Sequence, residues 1–228
     1  MPTNELTIPE QIAVWERIMA NAKYQRELAD PQLTARVPPP PNRMLKALDI
    51  GCGWGRHLVW LAQQGWRATG VDWTHAAIRQ CRERLAELHL TAQVIKADLR
   101  RLPFQDADYQ VIIAVDVLQH GRLADFKRSL AEIKRVLRVG GQAIFNLPTE
   151  RNAPGDYAGT WPEERTVIIG SGSEAGIPHH FFTEPEVRTA SRMFRHVELT
   201  AVVEPLPAGF APLHDHHVNE WFWVALTG

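Results

Sequence analysis

Ala47-Leu48-Asp49-Ile50-Gly51-Cys52-Gly53-Trp54-Gly55-Arg56 is the stretch on which the fold of this chain turns. It reads as a buried strand that carries an acidic residue, then glycines at alternate positions, then the start of a helix. Glycine takes positive φ without penalty and lets a ligand approach the bare backbone. A turn of this kind at the carboxyl end of a first parallel strand is where α/β sheets build nucleotide-type sites.

Outward from this turn, short apolar runs alternate with helical periodicity. Strands are expected at 46–50, 67–71, 92–96, 109–115 and 142–145. Between them, Leu58, Val59 and Leu61 mark one helix. Thr74 is placed to cap a second, with Ile78, Cys81, Leu85 and Leu88 on one face. Phe126, Leu130, Ile133 and Leu137 stripe a third, which Gly140-Gly141 is expected to end. Such β-α-β alternation demands a parallel sheet with helices on both faces.

On the amino-terminal side, an amphipathic segment from about residue 9 to 28 precedes Pro38-Pro39-Pro40-Pro41, a stiff extended connector. Too short to fold alone, the segment is expected to lie over the core as a helical cap, or to serve as a dimer arm. On the carboxyl side, residues 151–178 read as a long functional loop with a short hairpin near 166–169. Thr183-Glu184-Pro185-Glu186 is a capping box opening a last helix, and two late strands fit 196–203 and 218–226. One domain over 1–228 is expected: cap and connector to 44, a cofactor-binding half over 45–148, and a lid loop with carboxyl-terminal strands over 149–228.

Composition sets outer bounds. With 228 residues, 45% hydrophobic and 22% charged, the chain has the make-up of a globular protein. A net charge of -1 supplies no global field for nucleic acid or an anionic membrane. Two cysteines, Cys52 and Cys81, make no disulfide framework. No signal-like segment or membrane-length apolar run is read, so the cytoplasm is the expected compartment.

Further carboxylates follow the later strands. Gly70-Val71-Asp72 places one about 20 residues beyond the turn, suited to ribose hydroxyls. Lys96-Ala97-Asp98-Leu99 offers a second with an apolar neighbour for a purine, and the fourth strand runs into Ala114-Val115-Asp116-Val117-Leu118-Gln119-His120. The dinucleotide fingerprint G-x-G-x-x-G fits less well, because the third glycine arrives early at Gly55 and Arg56 stands where glycine is wanted.

In that order and context, these motifs resemble the class I S-adenosylmethionine-dependent methyltransferases. The resemblance covers residues 45–148, and more weakly His180-Phe181-Phe182-Thr183 and the chain's end. It implies a Rossmann-like, seven-stranded, mostly parallel sheet with the last strand antiparallel. The family's D-x-G-x-G-x-G turn maps onto Asp49, Gly51, Gly53 and Gly55, so Asp49 would orient the methionine ammonium. The turn as a whole, with Cys52 and Arg56, would lie along the cofactor. Asp72 would hold the ribose, Trp73 would flank adenine, Asp98 with Leu99 would read its edge, and Ala114 with Val115 would line the methionine arm. S-adenosylhomocysteine would be the product.

No Asn-Pro-Pro-Tyr-type tetrapeptide follows strand four and no Pro-Cys pair is present, which argues against nucleobase acceptors. A small molecule offering a nucleophilic O, N or S is the expected acceptor. His120 is best placed by chain position to act as base or acceptor anchor. His179, His180 and Trp161 are assigned to the acceptor pocket. No metal ligand set is expected, because adjacent histidines on an extended chain point apart and His179-His180 lies far in sequence from His214-Asp215-His216-His217. An NAD-dependent oxidoreductase and a non-catalytic S-adenosylmethionine sensor are the alternatives.

Overall fold

The computed structural model describes residues 5–42, 44–153, 159–205 and 219–228. Its first element is helix α1 (Ile8–Met19), where the Thr7 N–H donates to the Glu10 carboxylate at 2.8 Å. A short helix α2 (Pro31–Thr34) follows, capped by the Asp30 carboxylate. Then come β1 (Lys46–Ile50), α3 (Arg56–Gln63), β2 (Arg67–Asp72), α4 (His75–Glu87), β3 (Gln93–Lys96), β4 (Tyr109–Ala114), α5 (Leu123–Val136) and β5 (Leu137–Pro148). The second half adds β6 (Gly159–Glu163), β7 (Thr166–Ile169), β8 (Pro178–His180), α6 (Glu184–Ala190), β9 (His196–Val203) and β10 (Glu220–Thr227).

Seven strands form one sheet in the order β3-β2-β1-β4-β5-β10-β9. The pairs from β3 through β5 are parallel, and β10 runs antiparallel to both β5 and β9. Both faces are covered, as alternation along the strands requires. Leu48, Ile112, Phe145 and Val224 pack with Phe126 and Leu130 of α5 and Val187 of α6. Ala47, Val111, Ile113, Ile144 and Trp223 pack on the opposite face with Leu33 of α2, Leu58 of α3 and Cys81 of α4. The Rossmann-like, seven-stranded, mostly parallel fold expected from the sequence is therefore the one observed.

Strand order reverses between β1, whose crossover leads to β2, and β4 on its other side. A reversal opens a crevice outside the strands' carboxyl ends, because the two flanking crossovers lead away from each other. The glycine turn leaves β1 at that point.

Two local expectations are corrected. The helix expected to end at Gly140-Gly141 stops at Val136, and β5 begins directly at Leu137. Gly140 instead takes φ +73° within the strand, and a Cβ on Gly141 would stand 2.8 Å from the Gln110 carbonyl oxygen of the neighbouring strand. The glycines serve sheet packing, not a helix cap. Likewise, the stretch expected as a loop over 151–178 holds a second, antiparallel sheet of three strands in the order β6-β7-β8.

That small sheet is fastened to the crevice. His179 of β8 forms an isolated bridge with His120, and the His180 N–H donates to the Gln119 carbonyl at 2.9 Å. Helix α1 is fastened there too. The Glu16 carboxylate accepts the backbone N–H of Ala76 at 2.9 Å, capping α4, and Arg26 reaches Asp116 at 3.1 Å.

Candidate active site

The glycine turn needs its residue type for three different reasons. Gly51, Gly53 and Gly55 have φ of +66°, +50° and +80°. A Cβ on Gly51 would fall 2.4 Å from Val117 Cγ2, and one on Gly55 would fall 2.5 Å from Cys81 Sγ. Gly53 has nothing nearer than Met19 Sδ at 3.7 Å. The outer glycines are thus packing requirements, and of the three only Gly53 has open space where a Cβ would stand. That space is a cavity of about 330 Å³ lined by Gly51, Gly53, Asp72, Trp73, Asp98, Leu99 and the segment 116–118 with His120. Ile8, Gln11, Trp15 and Met19 of α1 form its other wall.

Not every residue assigned to the cofactor reaches this cavity. Asp49, Cys52, Gly55, Arg56, Ala114 and Val115 are absent from its lining. Ala114 and Val115 lie in the core clusters on opposite faces of the sheet, because strand alternation still holds at their positions. Asp116, Val117 and Leu118, just past the strand, take the place expected for them. Cys52 packs against Gly70 and the Leu58 cluster. Arg56 turns aside to bond Asp116 at 2.9 Å.

Asp116 is a site residue that sequence patterning passes over. It sits at φ +60°, a conformation costly for any residue with a Cβ. Asn146 of β5 holds it there: the Asp116 N–H donates to Asn146 Oδ1 at 2.7 Å, and Asn146 Nδ2 donates to Asp116 Oδ1 at 2.9 Å. The only sequence signal was a carboxylate directly after strand four.

The Asp72 carboxylate braces the turn. Its Oδ2 accepts the Gly53 N–H at 3.1 Å, and its Oδ1 accepts both the N–H and the hydroxyl of Thr74 at 2.9 and 2.8 Å. A carboxylate oxygen accepts more than one bond, so Oδ2 keeps capacity toward the cavity. Asp98 is more heavily committed. Burial pushes its carboxyl up, but the Arg100 guanidinium, bonded at 2.7 Å, outweighs that and lowers it overall. Arg100 also lies 5.9 Å from the Trp73 ring centroid, so Trp73 and Asp98 are tied into one wall.

Asp49 lies beneath the turn, with Oδ2 lacking any hydrogen-bond partner. Burial pushes its carboxyl up to about 8; Arg56 opposes the shift and Asp72 adds to it. Because the folded value is raised, the native state holds a proton that the unfolded chain releases. The group's stabilising contribution is complete below about pH 4 and lost as pH rises through about 8. Within that window the slope approaches about 1.4 kcal/mol per pH unit. Urea melts from pH 5 to pH 8 should therefore show a shallower decline for Asp49→Asn than for the parent chain. Parallel declines would show that Asp49 ionises freely in the fold.

Three side chains meet where the small sheet joins the cavity. His179 Nε2 lies 2.6 Å from Glu174 Oε2, and His120 Nε2 lies 3.8 Å from the same oxygen. Burial, then the neighbouring His179, push His120 down to about 4, so its ring is neutral at pH 7. Burial raises Glu174, but its hydrogen bond with His179 and the two neighbouring imidazoles outweigh that and hold it at about 2. Sequence separation hid this group, because Glu174 sits in a turn and carries no motif. His179, His180 and Trp161, assigned together to the acceptor pocket, do not line the cavity. His180 bonds Thr166 Oγ1 at 2.6 Å inside the small sheet, and Trp161 stands on β6. The segment His214-Asp215-His216-His217 lies outside the described residues.

Comparison with known proteins places this geometry. Residues 47–141 match a family described as methyltransferase domain. The chain is 31% identical over 159 residues to an uncharacterised 37.1 kDa protein of transposon TN4556 in Streptomyces fradiae, covering 67% of this chain and 43% of that protein. It is 30% identical over 146 residues to a sterol 4-C-methyltransferase of Caenorhabditis elegans, covering 63% and 42%. The chain thus spans less than half the length of these relatives. A solved SAM-dependent methyltransferase from Methanosarcina mazei superposes with a TM-score of 0.68 at 18% identity, covering 88% of this chain and 98% of that one, which establishes the shared fold.

Proposed function

We propose, on the premise that this chain carries a class I S-adenosylmethionine-dependent methyltransferase domain at residues 47–141, that it moves a methyl group to a nucleophilic O, N or S of a small molecule. The observation that carries this is the Gly53 backbone, open to the cavity and braced by Asp72. That cradle, with Trp73 and Leu99 beside it, fits a nucleoside and its thioether arm. S-adenosylmethionine, when bound, supplies both the electrophilic methyl and the leaving group.

The chain's own task is alignment in a dry site. Asp72 offers Oδ2 to the ribose hydroxyls while holding the Gly53 amide in place. Trp73 and Leu99 present apolar surface to the purine. Asp49 lies buried beneath the turn with Oδ2 unpartnered and burial keeping its carboxyl protonated at pH 7, so it supports the cradle from below without lining it. On the acceptor side, His120 faces the cavity with a neutral ring, able to accept a proton or a hydrogen bond from the nucleophile.

A small acceptor suits a cavity walled by α1, whose Trp15 packs on the His120 ring at 4.7 Å between centroids. Among the described residues no helix is long and apolar enough to cross a membrane. The relative from Caenorhabditis elegans is named for a sterol substrate, and a net charge of -1 gives no field for nucleic acid. Free, buried Cys52 and Cys81 suit the reducing cytoplasm. The dinucleotide alternative is disfavoured because Gly55 is buried against Cys81 and Arg56 is bonded to Asp116.

Calorimetric titration with S-adenosylmethionine, S-adenosylhomocysteine and NAD tests the cofactor. The first two should bind and the third should not; binding of NAD alone would overturn the proposal. Asp72→Ala removes charge-assisted hydrogen bonds worth about 1.5–3 kcal/mol each, so affinity should fall at least about tenfold. Unchanged affinity would remove Asp72 from ribose binding. Labelled-methyl transfer to pooled small-molecule acceptors separates an enzyme from a sensor, which would bind the cofactor and transfer nothing.

A further inference from the structure

We propose that His120, Glu174 and His179 bind a divalent first-row transition metal ion at the acceptor end of the cavity. Their ligand atoms, two imidazole nitrogens and a carboxylate oxygen, lie within 4.8 Å of one another. Two imidazoles and one carboxylate are a donor set for zinc, iron or manganese.

The hydrogen bonding around His179 favours an ion. Its Nδ1 lies 3.0 Å from the Ile177 carbonyl oxygen and its Nε2 lies 2.6 Å from Glu174 Oε2. Both partners are acceptors, while a neutral imidazole has a single N–H to donate. The ring must either be an imidazolium or give its Nε2 lone pair to a cation that the carboxylate also binds. In the second case the Nδ1–H to a backbone carbonyl is the outer contact that orients metal-binding histidines. The His120 Nε2 stands 3.8 Å from the same Glu174 oxygen.

Ligand atoms around a tetrahedral zinc stand roughly 3.3 Å apart, from metal–ligand distances of about 2.0–2.1 Å. The 2.6 and 3.8 Å separations bracket that value, and no pair of the three ligand atoms is more than 4.8 Å apart. The frame is already fixed by the backbone bridge between His120 and His179 and by Trp15 packed on the His120 ring. Side-chain exposures of 15%, 34% and 10% for His120, Glu174 and His179 leave an entry path past the carboxylate.

Three protein ligands leave coordination positions open, and His120 lines the cavity, so the open positions face it. Resting on the methyltransferase reading, the ion takes the His120 lone pair and replaces that ring as the group that holds an acceptor hydroxyl, thiol or carboxylate and eases loss of its proton.

The test uses the full chain, stripped with chelator and then equilibrated by dialysis with Zn(II) or Co(II), without cofactor or acceptor. One equivalent should bind per chain, and Co(II) should show visible d–d bands. Glu174→Gln, nearly isosteric, and His179→Ala should each weaken binding at least tenfold, with folding checked by circular dichroism. A His214→Ala/His216→Ala/His217→Ala variant should keep the full equivalent. Absence of bound metal, or binding that survives Glu174→Gln and vanishes with the triple variant, would overturn the proposal. Because no methyl transfer is measured, an inactive chain that binds Co(II) refutes the activity alone, and an active chain that binds none refutes the metal alone.

Discussion

Gly51→Ala should lower S-adenosylmethionine affinity by at least about thirtyfold. The added Cβ would lie 2.4 Å from Val117 Cγ2 and 2.9 Å from Cγ1, at a φ of +66°. Left-handed backbone costs an L-residue about 1–2 kcal/mol, and overpacking a filled site adds about 1–3 kcal/mol. Together these exceed about 2 kcal/mol, and each 1.4 kcal/mol is tenfold in affinity. The strain falls on the turn that presents the Gly53 N–H, so binding should suffer more than global stability. Val117→Ala in the Gly51→Ala background should recover part of the loss by removing the steric share and leaving the conformational one. Calorimetry on the parent chain, Gly51→Ala, Val117→Ala and the double variant measures this. Equal affinities for parent and Gly51→Ala would mean that the cofactor does not read this turn.

The largest effect on stability is expected at Trp223, in β10. Its side chain is 1% exposed and packs in the cluster that joins α2, α3 and α4 to the sheet. The indole N–H donates to Glu204 at 3.1 Å, and the Arg36 guanidinium stacks 5.3 Å from the ring centroid. Truncation of a buried tryptophan to alanine costs about 3–5 kcal/mol, through lost burial and the cavity left behind. For a chain of this size each kcal/mol lowers Tm by about 2–4 °C, so a fall of at least about 6 °C is expected. Trp223→Phe should lose less than half as much. Trp223 lies away from the cavity, so cofactor affinity measured well below Tm should be unchanged. A Tm shift below about 2 °C, seen by calorimetry or circular dichroism, would show that this face of the sheet is not under tight packing.

Much of this protein was legible before any coordinates. Glycine, proline and capping residues act on the backbone within a few positions of themselves, so Thr74 at the start of α4 and the Thr183–Glu186 box were readable. The five strands up to β5 were readable for a related reason: a strand buried on both faces shows as a short apolar run bounded by turn residues. The misreadings share a cause. Gly140 and Gly141 looked like a helix cap because glycine is frequent there, but the Gln110 carbonyl packed behind Gly141 comes from a different strand. No local pattern records that.

The site divides along the same line. Gly53, Asp72, Trp73, Asp98 and Leu99 follow directly from strand ends, and their place around the cavity is set by the crossover rule. Ala114 and Val115 lie in the two core clusters and not in the cavity wall, because the exact residue at which β4 stops is a tertiary matter. Asp116 lies just beyond it, held at φ +60° by Asn146, which is thirty positions away in the chain.

By itself, then, the sequence determined the parallel sheet and the glycine turn, since each depends on short-range backbone chemistry, and the class of ligand came from the family resemblance that the motifs carry in their order. Only the tertiary structure decided that α1 walls the cavity, that 159–180 pairs as a second sheet, and that Glu174 stands between His120 and His179. The α1 wall and the approach of Glu174 to His120 rest on contacts between segments distant in the chain, where packing alone selects the partner, whereas β6, β7 and β8 pair with near neighbours in sequence.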